Sequence, residues 1–316
     1  MQLSFASQGR TGEFSVGDTV AERCLGRLGD VLLYEGRDPK AGVGRLHEYF
    51  PLDVAARGGP GAAQARTARW RGTFLDGAEA FLDRGRALIG WTGRNALPTL
   101  SVVGDDTGAW WITPALDGLT LSEVLALAPS DLPEPLAREI AKEVSAALTA
   151  LHKTGLIHGG VWPSAFLLTS DDDWRAVPIA LEPARTLAAR VSPRLRDAKD
   201  PYAGLERQQA RGEPGSVRDD IHGLAAVLSA VLLGQTPKSP SQRLYARETT
   251  PPAGAAAALA KGLALQPEDR PASVAALIKP MGFEVRCFPD AAHFLQSDAV
   301  GSAHAVIAVL RMPGMG

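Results

Sequence analysis

The sequence has few cysteines, almost no net charge and no long apolar run. Its two cysteines, Cys24 and Cys287, lie far apart and outside any CxxC pair, so neither a disulfide framework nor a zinc site is predicted. A net charge of -2 over 316 residues gives no reason to expect nucleic acid or an anionic membrane as the main partner. No apolar run approaches the roughly 18 residues of a membrane span, and the first residues lack the pattern of a secretory signal. We therefore expect a cytoplasmic protein.

The composition is that of a globular protein, with 45% hydrophobic and 22% charged residues, and the length suits two lobes. Residues 1–20 are polar and rich in glycine and serine, which indicates a loose lead-in. Residues 21–118 alternate short apolar runs with turns around one amphipathic helix at 77–91, which predicts a small sheet with one helix. Residues 119–280 show helical spacing, including a strongly apolar helix that ends at Gly234.

Four motifs in the second part carry a family resemblance. LHKTGLIHGGVWPSAFLL at 151–168 has the frame of a protein kinase catalytic loop, and DPYAGLE at 200–206 resembles the end of an activation segment. DDIHGLAAVL at 219–228 and PEDRP at 267–271 are similar to the kinase segments that brace these two. The chain therefore resembles a bacterial serine/threonine protein kinase domain. The resemblance implies an α+β, bilobal protein kinase-like fold, with a small β-rich N-lobe containing one helix and a larger helical C-lobe.

The resemblance assigns supporting roles in the fold to four residues. His158 is what remains of the His-Arg-Asp triplet, and Asp220 is expected to accept hydrogen bonds from the loop at 158–160, because a buried carboxylate needs donors. Glu206 and Arg270 are expected to form a buried ion pair whose loss would cost on the order of 3 to 5 kcal/mol.

The same alignment lacks the groups that transfer a phosphoryl group. Kinases use one aspartate to position the substrate hydroxyl, and an asparagine and a second aspartate to hold magnesium. These three positions are Gly160, Ala165 and Ala180 here, and Gly159 replaces the arginine of the triplet. The catalytic loop is therefore expected to serve the fold rather than the reaction.

The small lobe departs from the kinase pattern in a similar way. LGRLGDVLLY keeps Gly26, but Leu28 and Val31 stand where two further glycines would approach the phosphates. LHEYFP resembles the IKEYFP strand of some bacterial kinases and places His47 at the phosphate-holding lysine, while Arg84 falls at the helix glutamate. His47 and Arg84 cannot form the lysine-glutamate ion pair of an active kinase.

These departures imply a pseudokinase, a regulatory or scaffolding signalling module with no catalytic residue and no metal site. If a nucleotide binds, it would be ATP without magnesium, in a cleft that includes Gly26, Gly29, His47, Thr113 and Leu116. The expected partner is another protein, such as a signalling protein or an active kinase, and a homodimer is an open alternative. The competing hypothesis is a divergent active serine/threonine kinase, or another ATP-dependent transferase on this fold, that uses an acid such as Glu182 or Asp197.

Two further patterns each allow two interpretations. The acidic run Asp171–Asp173 fits a metal site or a solvated hairpin turn, and its place at a hairpin tip favours the turn. Trp110, Trp111 and Trp162 fit stacking on a base or packing in the core, and packing is favoured.

The last residues, 281–316, return to strand and helix alternation. GFEVRCF, DAAHFLQSDA and HAVIAVLRMP resemble the middle of a response-regulator receiver domain. The resemblance places Val309 at the phosphorylated aspartate, so this receiver-like tail is not expected to accept a phosphoryl group. Two interpretations stay open: a truncated or rearranged terminus, or a docking appendage that covers the large lobe or forms a dimer contact.

Overall fold

The structure is a computed structural model, which describes residues 9–28, 30–59, 61–128, 132–171, 173–179, 181, 200–209, 215–245 and 254–283. In these ranges the chain forms a first lobe built on an antiparallel sheet and a second lobe that is mostly helical. The α+β, two-lobe arrangement predicted from the sequence is confirmed. Among the described residues, no helix combines the length and the apolar character that crossing a membrane requires.

A six-stranded antiparallel sheet forms the core of the first lobe. Its strands are β1 (Phe14–Val16), β2 (Thr19–Leu28), β3 (Val31–Asp38), β4 (Gly42–Tyr49), β7 (Ser101–Asp105) and β8 (Gly108–Pro114). They lie in the order β1-β2-β3-β4-β8-β7. Helix α1 (Arg71–Ala87) packs on one face against β7 and β8. A hairpin of β5 (Ala55–Arg57) and β6 (Ala63–Ala65) precedes this helix.

Under the β5-β6 hairpin lies a buried polar network on the other face of the sheet. The Tyr34 hydroxyl donates to Glu48 Oε2 at 2.8 Å and accepts from Arg57 Nη2 and from the Arg10 backbone N-H, both at 3.1 Å. Arg57 Nη2 also donates to Glu48 Oε2 at 2.7 Å. Glu48 has no exposed surface, so its charge is balanced by Arg57 rather than by water. Burial, together with the Glu48 charge, raises the pKa of the Tyr34 phenol.

The interpretation of residues 1–20 as a loose lead-in is wrong from residue 14 onward. Phe14–Val16 forms β1 and pairs with β2, and the Phe14 ring lies 5.3 Å from the Tyr34 ring and 5.7 Å from the Trp110 ring. A three-residue strand is too short to produce a readable alternation in the sequence. Its aromatic contacts fix it to the core of the first lobe.

The second lobe contains α2 (Leu121–Leu127), α3 (Glu134–Lys153), α4 (Leu205–Gln209), α5 (Val217–Leu233), α6 (Pro240–Tyr245), α7 (Ala255–Gly262) and α8 (Val274–Ile278). A small sheet of β9 (Gly118–Thr120), β10 (Phe166–Thr169) and β11 (Ala176–Pro178) has the order β11-β10-β9. Since β9 pairs with β10, residue 118 belongs to this lobe rather than to the first.

The helix boundaries follow local sequence signals. Thr120 and Glu123 form a reciprocal capping box at the start of α2, and Ser216 and Asp219 do the same at the start of α5. Gly234 ends α5 in the left-handed conformation, with φ of 64°. Every residue of α5 from Asp220 to Ser229 is buried, as the apolar sequence predicts for the central helix of the lobe.

The second lobe extends past the boundary predicted at residue 280. Met281 is buried, and Phe283 packs against the same hydrophobic core. The receiver-like tail is described only to Phe283, so the interpretation of residues 284–316 lies outside the described residues.

Candidate functional site

A small cavity lies between the two lobes, on the face of the sheet that carries α1. Its walls are mostly apolar and come from β3, β4, β8, α1 and the segment after β11, and they include Val31, His47, Phe81, Leu88, Trp111, Thr113, Pro178, Ile179 and Leu181. The cavity has a volume of about 30 Å³. That is room for roughly two water molecules. Side chains therefore fill the inner end of the cleft.

His47 lies on β4 in the wall of this cavity. Its Nε2 lies 3.1 Å from Thr113 Oγ1, and its ring centroid lies 6.1 Å from that of Trp111. Burial of the ring, aided by the nearby Arg45 charge, lowers the pKa of His47 from 6.5 to about 4. His47 is therefore neutral near pH 7 and cannot supply the fixed positive charge of a phosphate-holding lysine.

Aromatic packing joins α1 to the sheet at the place where the resemblance expects a lysine-glutamate pair. The Trp111 ring stacks on Phe81 with centroids 4.5 Å apart, and Trp111 Nε1 donates to the Phe81 carbonyl at 2.7 Å. The helix comes so close at Gly85 that a Cβ there would lie 2.4 Å from Trp111 Nε1. Arg84 is half-buried on the same helix, between the cavity-lining Phe81 and Leu88.

Asp220 holds the loop that resembles a catalytic loop. Its carboxylate accepts the backbone N-H groups of His158 at 2.7 Å and Gly159 at 2.9 Å, and Oδ2 lies 2.8 Å from His152 Nε2. Gly159 has φ of 72°, a conformation in which glycine has no steric penalty. The structure thus brings Asp220 and the loop together as the sequence predicts. The contact with His152 was missed, because the motifs alone do not indicate which face of α3 meets Asp220.

His158 ties the loop to the segment that follows β11. Its Nε2 lies 2.9 Å from the Ile179 carbonyl, and the Ile179 N-H donates to the Ala165 carbonyl at 2.8 Å. Gly160 and Ala165 are both buried, and neither carries a group that could accept a proton or bind a cation. Ala180 lies outside the described residues. These contacts support the backbone of the loop.

A row of charged side chains runs across the sheet on the same face as His47. Glu35 on β3 is opposite Arg45 on β4 and Arg23 on β2, and both arginines donate to its carboxylate, at 2.5 Å and 2.8 Å. The hydrogen bonds from Arg45 and Arg23 hold the pKa of Glu35 below its usual range. Arg45 precedes His47 by two residues and therefore faces the same way. The sheet surface beside the cavity is thus charged, which the sequence analysis missed.

The other positions proposed for a nucleotide cleft are spread over several elements. Gly26 lies at a bulge of β2, where the register with β3 shifts, and Leu116 is half-buried in the connection from β8 to β9. Gly29 lies outside the described residues. Of these positions, the structure brings His47 and Thr113 together in one wall.

The ion pair predicted between Glu206 and Arg270 is present below the second-lobe core. Arg270 Nη1 and Nη2 donate to the two Glu206 oxygens at 2.6 Å and 2.8 Å, and the Arg270 side chain has no exposed surface. Although burial raises it, the pKa of Glu206 is lowered to about 2 by hydrogen bonds from Arg270 and Asp219. The pair fixes α4, which follows residues 200–204, to the base of the lobe.

The acidic run at the β10-β11 hairpin is engaged by arginines. Asp171 pairs with Arg175 and Asp173 pairs with Arg94, while Asp172 lies outside the described residues. Within the described ranges, no three histidine, cysteine, aspartate or glutamate side chains come together as metal ligands. The geometry of Asp171 and Asp173 is that of a solvated turn.

The tryptophans considered as stacking platforms occupy packed positions. Trp110 and Trp111 are 0% and 4% exposed and belong to the core of the first lobe. Trp162 is half-buried just before the single turn Pro163–Ala165. Packing is thus the observed role of Trp110 and Trp111.

Comparison with known proteins finds similarity to kinases in sequence and fold. No protein-family model matches the chain. The serine/threonine-protein kinase PknB of Mycobacterium leprae (strain TN) is 28% identical over 123 residues, which cover 39% of this chain and 19% of that kinase. The matched segment thus spans about a fifth of the length of that relative.

Solved structures share the arrangement of both lobes. The structure titled PpkA-294 apo form has a TM-score of 0.71 and 21% identity, covering 87% of this chain and 100% of that chain. The Mycobacterium tuberculosis PknI kinase domain has a TM-score of 0.57 and 20% identity, covering 87% and 99%. At such identities the likeness shows the fold, which is the bilobal protein kinase-like fold.

Proposed function

We propose that this chain is a pseudokinase, which uses a kinase-like fold for regulation or scaffolding and does not transfer phosphoryl groups. The observation that carries the proposal is the composition of the inter-lobe cleft. Phosphoryl transfer depends on positioning and on charge, supplied by a lysine, an aspartate and magnesium ligands. The corresponding positions hold the neutral His47, the side-chain-free Gly160 and the buried methyl group of Ala165.

Magnesium does not fit the described residues of the cleft. The ion prefers carboxylate oxygens and phosphate oxygens in a near-octahedral arrangement. Ala165 offers a methyl group where an asparagine oxygen would bind. In the proposed function, any ATP therefore binds weakly and without the metal.

The charged row of Arg23, Glu35 and Arg45 also bears on nucleotide binding. A purine ring is held mainly by apolar surfaces with a few placed polar groups. Placing a ring against this row would desolvate Glu35 and its two arginines, which opposes binding. In the proposal, a regulatory role for the chain therefore does not depend on ATP.

A divergent serine/threonine kinase is the second candidate, and the similarity to PknB over 123 residues favours it. Such an enzyme would need acids from outside the described residues, such as Glu182 or Asp197. It would also need a cation to replace His47. The chain would then modify proteins rather than bind them.

The partner in the proposed function is a protein, either a signalling protein or an active kinase. The second-lobe surface and the segment 182–202 are the proposed recognition elements. A second copy of this chain is the alternative partner, which sedimentation of the purified protein would reveal.

One pair of assays tests the proposal on the full chain. Millimolar ATP should either leave the melting temperature unchanged or raise it slightly, and magnesium should not increase that rise. Thr113→Phe should abolish any rise that comes from binding in the cleft. Incubation with radiolabelled ATP should label neither the chain nor a generic protein acceptor. Labelling by the wild type that disappears in Glu182→Gln would overturn the proposal in favour of the kinase.

A further inference from the structure

The second lobe contains a groove, here called the basal groove, that shares no lining residue with the inter-lobe cavity. It has a volume of about 390 Å³ and lies among α2, α3, the end of α5 and the start of α7. Its lining includes Glu134, Arg138, Leu233 and Phe283. Its size is that of a binding site rather than of a packing defect.

Exposed leucines lie on the helices that line the basal groove, and one of them, Leu233, is itself a lining residue. Leu127 on α2 is 76% exposed, Leu136 on α3 is 42% exposed and Leu233 on α5 is 45% exposed. These three belong to the helices that line the groove. An exposed leucine in the lining of a concavity, as Leu233 is here, suits a surface that another segment covers.

The chain itself enters this groove. Phe283 lies in the lining, and the Arg138 guanidinium lies 5.1 Å from the centroid of its ring. Gly282, with φ of 83°, makes the turn that delivers Phe283 to this position. Residues 284–316 follow directly, so a further 33 residues begin inside the groove.

The composition of those residues suits the groove. Val285 and Phe288, and the apolar stretch AVIAVL at 305–310, match the apolar side chains of its lining. Glu134 and Arg138 give the groove one charge of each sign, and the continuing chain offers Glu284 and Arg286. A tethered segment also has a high effective concentration, which a second copy or a separate protein lacks.

We propose that residues 284–316 dock in the basal groove of the same molecule. Phe283 anchors the start of the docked segment, and the segment covers Leu233. A protein partner that binds this face of the lobe must then displace the tail or bind on top of it. The proposal holds whether or not the inter-lobe cleft binds ATP or transfers a phosphoryl group.

The native Cys287 provides a direct test in the full chain. It lies four residues beyond Phe283 and so within about 14 Å of it along the chain. In a Cys24→Ser background, single cysteines are introduced as Ala128→Cys and Leu233→Cys, at two positions of the groove rim that belong to its lining. The matched control is Leu75→Cys on α1 of the first lobe, where the native side chain is 54% exposed. A disulfide forms only when the Cα atoms come within about 7 Å.

Under mild oxidation, at least one rim cysteine should form an intramolecular disulfide with Cys287, roughly tenfold faster than the cysteine of the Leu75→Cys control does, because docking raises the local concentration. Phe283→Ala should slow this reaction severalfold. Peptide mapping and non-reducing electrophoresis distinguish the outcomes. Disulfides that form only between molecules would show that the tail of a second copy occupies the groove. Equal rates at the rim and at the control, or a rim rate that Phe283→Ala leaves unchanged, would leave the tail undocked. Either result overturns the proposal.

Discussion

All five N-H groups of Arg270 donate hydrogen bonds. Substitutions in its pair with Glu206 therefore test how strongly α4 is attached to the second lobe. Two go to Glu206, and the others go to the carbonyl groups of Ala264, Leu265 and Arg218 at 2.8 Å, 3.1 Å and 3.2 Å. Arg270 has no exposed side-chain surface, whereas 27% of Glu206 is exposed. Loss of the Glu206 charge would therefore leave Arg270 where water does not reach it, with Asp219 Oδ1, 3.9 Å from Nη1, as the remaining nearby carboxylate oxygen.

Glu206→Gln keeps the shape of the side chain but removes its charge. Removing one partner of a buried pair costs about 3 to 5 kcal/mol, and the three carbonyl groups should hold the cost near the lower end. Arg270→Met should cost as much, because it leaves those carbonyls without donors, at about 1 kcal/mol each, besides the carboxylate. The double variant contains no unpaired charge. Its cost should fall short of the sum of the single costs by about 2 kcal/mol.

Urea unfolding near neutral pH measures these free energies of unfolding, and a common slope shows that the unfolded states are comparable. The control is Glu139→Gln, which breaks an exposed pair with Lys142 and should cost less than about 0.5 kcal/mol. If Glu206→Gln also costs less than about 1 kcal/mol, or if the two substitutions are additive, the carbonyl groups and Asp219 satisfy Arg270 without Glu206. The reasoning would then be refuted.

Burial and the neighbouring Glu206 raise the pKa of Asp219 from 3.8 to about 6. The folded state therefore binds this proton more tightly than the unfolded state does. The resulting stabilisation is complete below pH 3.8 and is lost as the pH rises to about 6. The free energy of unfolding should therefore decline with pH across this range, and Asp219→Asn should make that decline smaller. The same decline in the variant and the wild type would contradict the assignment to Asp219. Tyr34→Phe should cost about 1 to 3 kcal/mol in thermal unfolding, because Arg10, Glu48 and Arg57 lose a buried partner. The control is Tyr245→Phe, at an exposed tyrosine, which should not change stability measurably. If both substitutions cost the same, the buried network does not stabilise the fold. Gly160→Asp alone should not label itself or an acceptor with radioactive phosphate, since His47 stays neutral, and labelling would refute the pseudokinase proposal.

The sequence predicts contacts that depend on motif identity better than those that depend on exact register. Asp220 and the loop at 158–160 could be paired because a buried carboxylate needs donors and backbone N-H groups are available there. Glu206 and Arg270 could be paired, although 64 residues apart, because each stands in its own recognisable motif. Neither inference needs the positions of individual strands.

The row of Arg23, Glu35 and Arg45 could not be predicted in that way. Opposite residues on three strands depend on register, and β2 shifts its register twice, between Ala21 and Arg23 and between Cys24 and Gly26. A shift of one residue turns a side chain to the other face of the sheet. The network of Tyr34, Glu48 and Arg57 was missed for a related reason, since it depends on the short hairpin that contains Arg57.

The distribution of buried charge explains why one substitution should not restore a kinase. Asp220 and Arg270 are buried with complete sets of partners, so each stabilises the fold where it stands. The inner cleft is instead closed by Phe81, Trp111 and the neutral His47. A lysine at position 47 would meet the Arg45 charge in a cavity of about 30 Å³, with α1 packed closely against Trp111. A working site would need several substitutions at once, to supply the cation, its counter-ion and space for the phosphate. Any one of them alone would bury an unpaired charge or remove an aromatic contact.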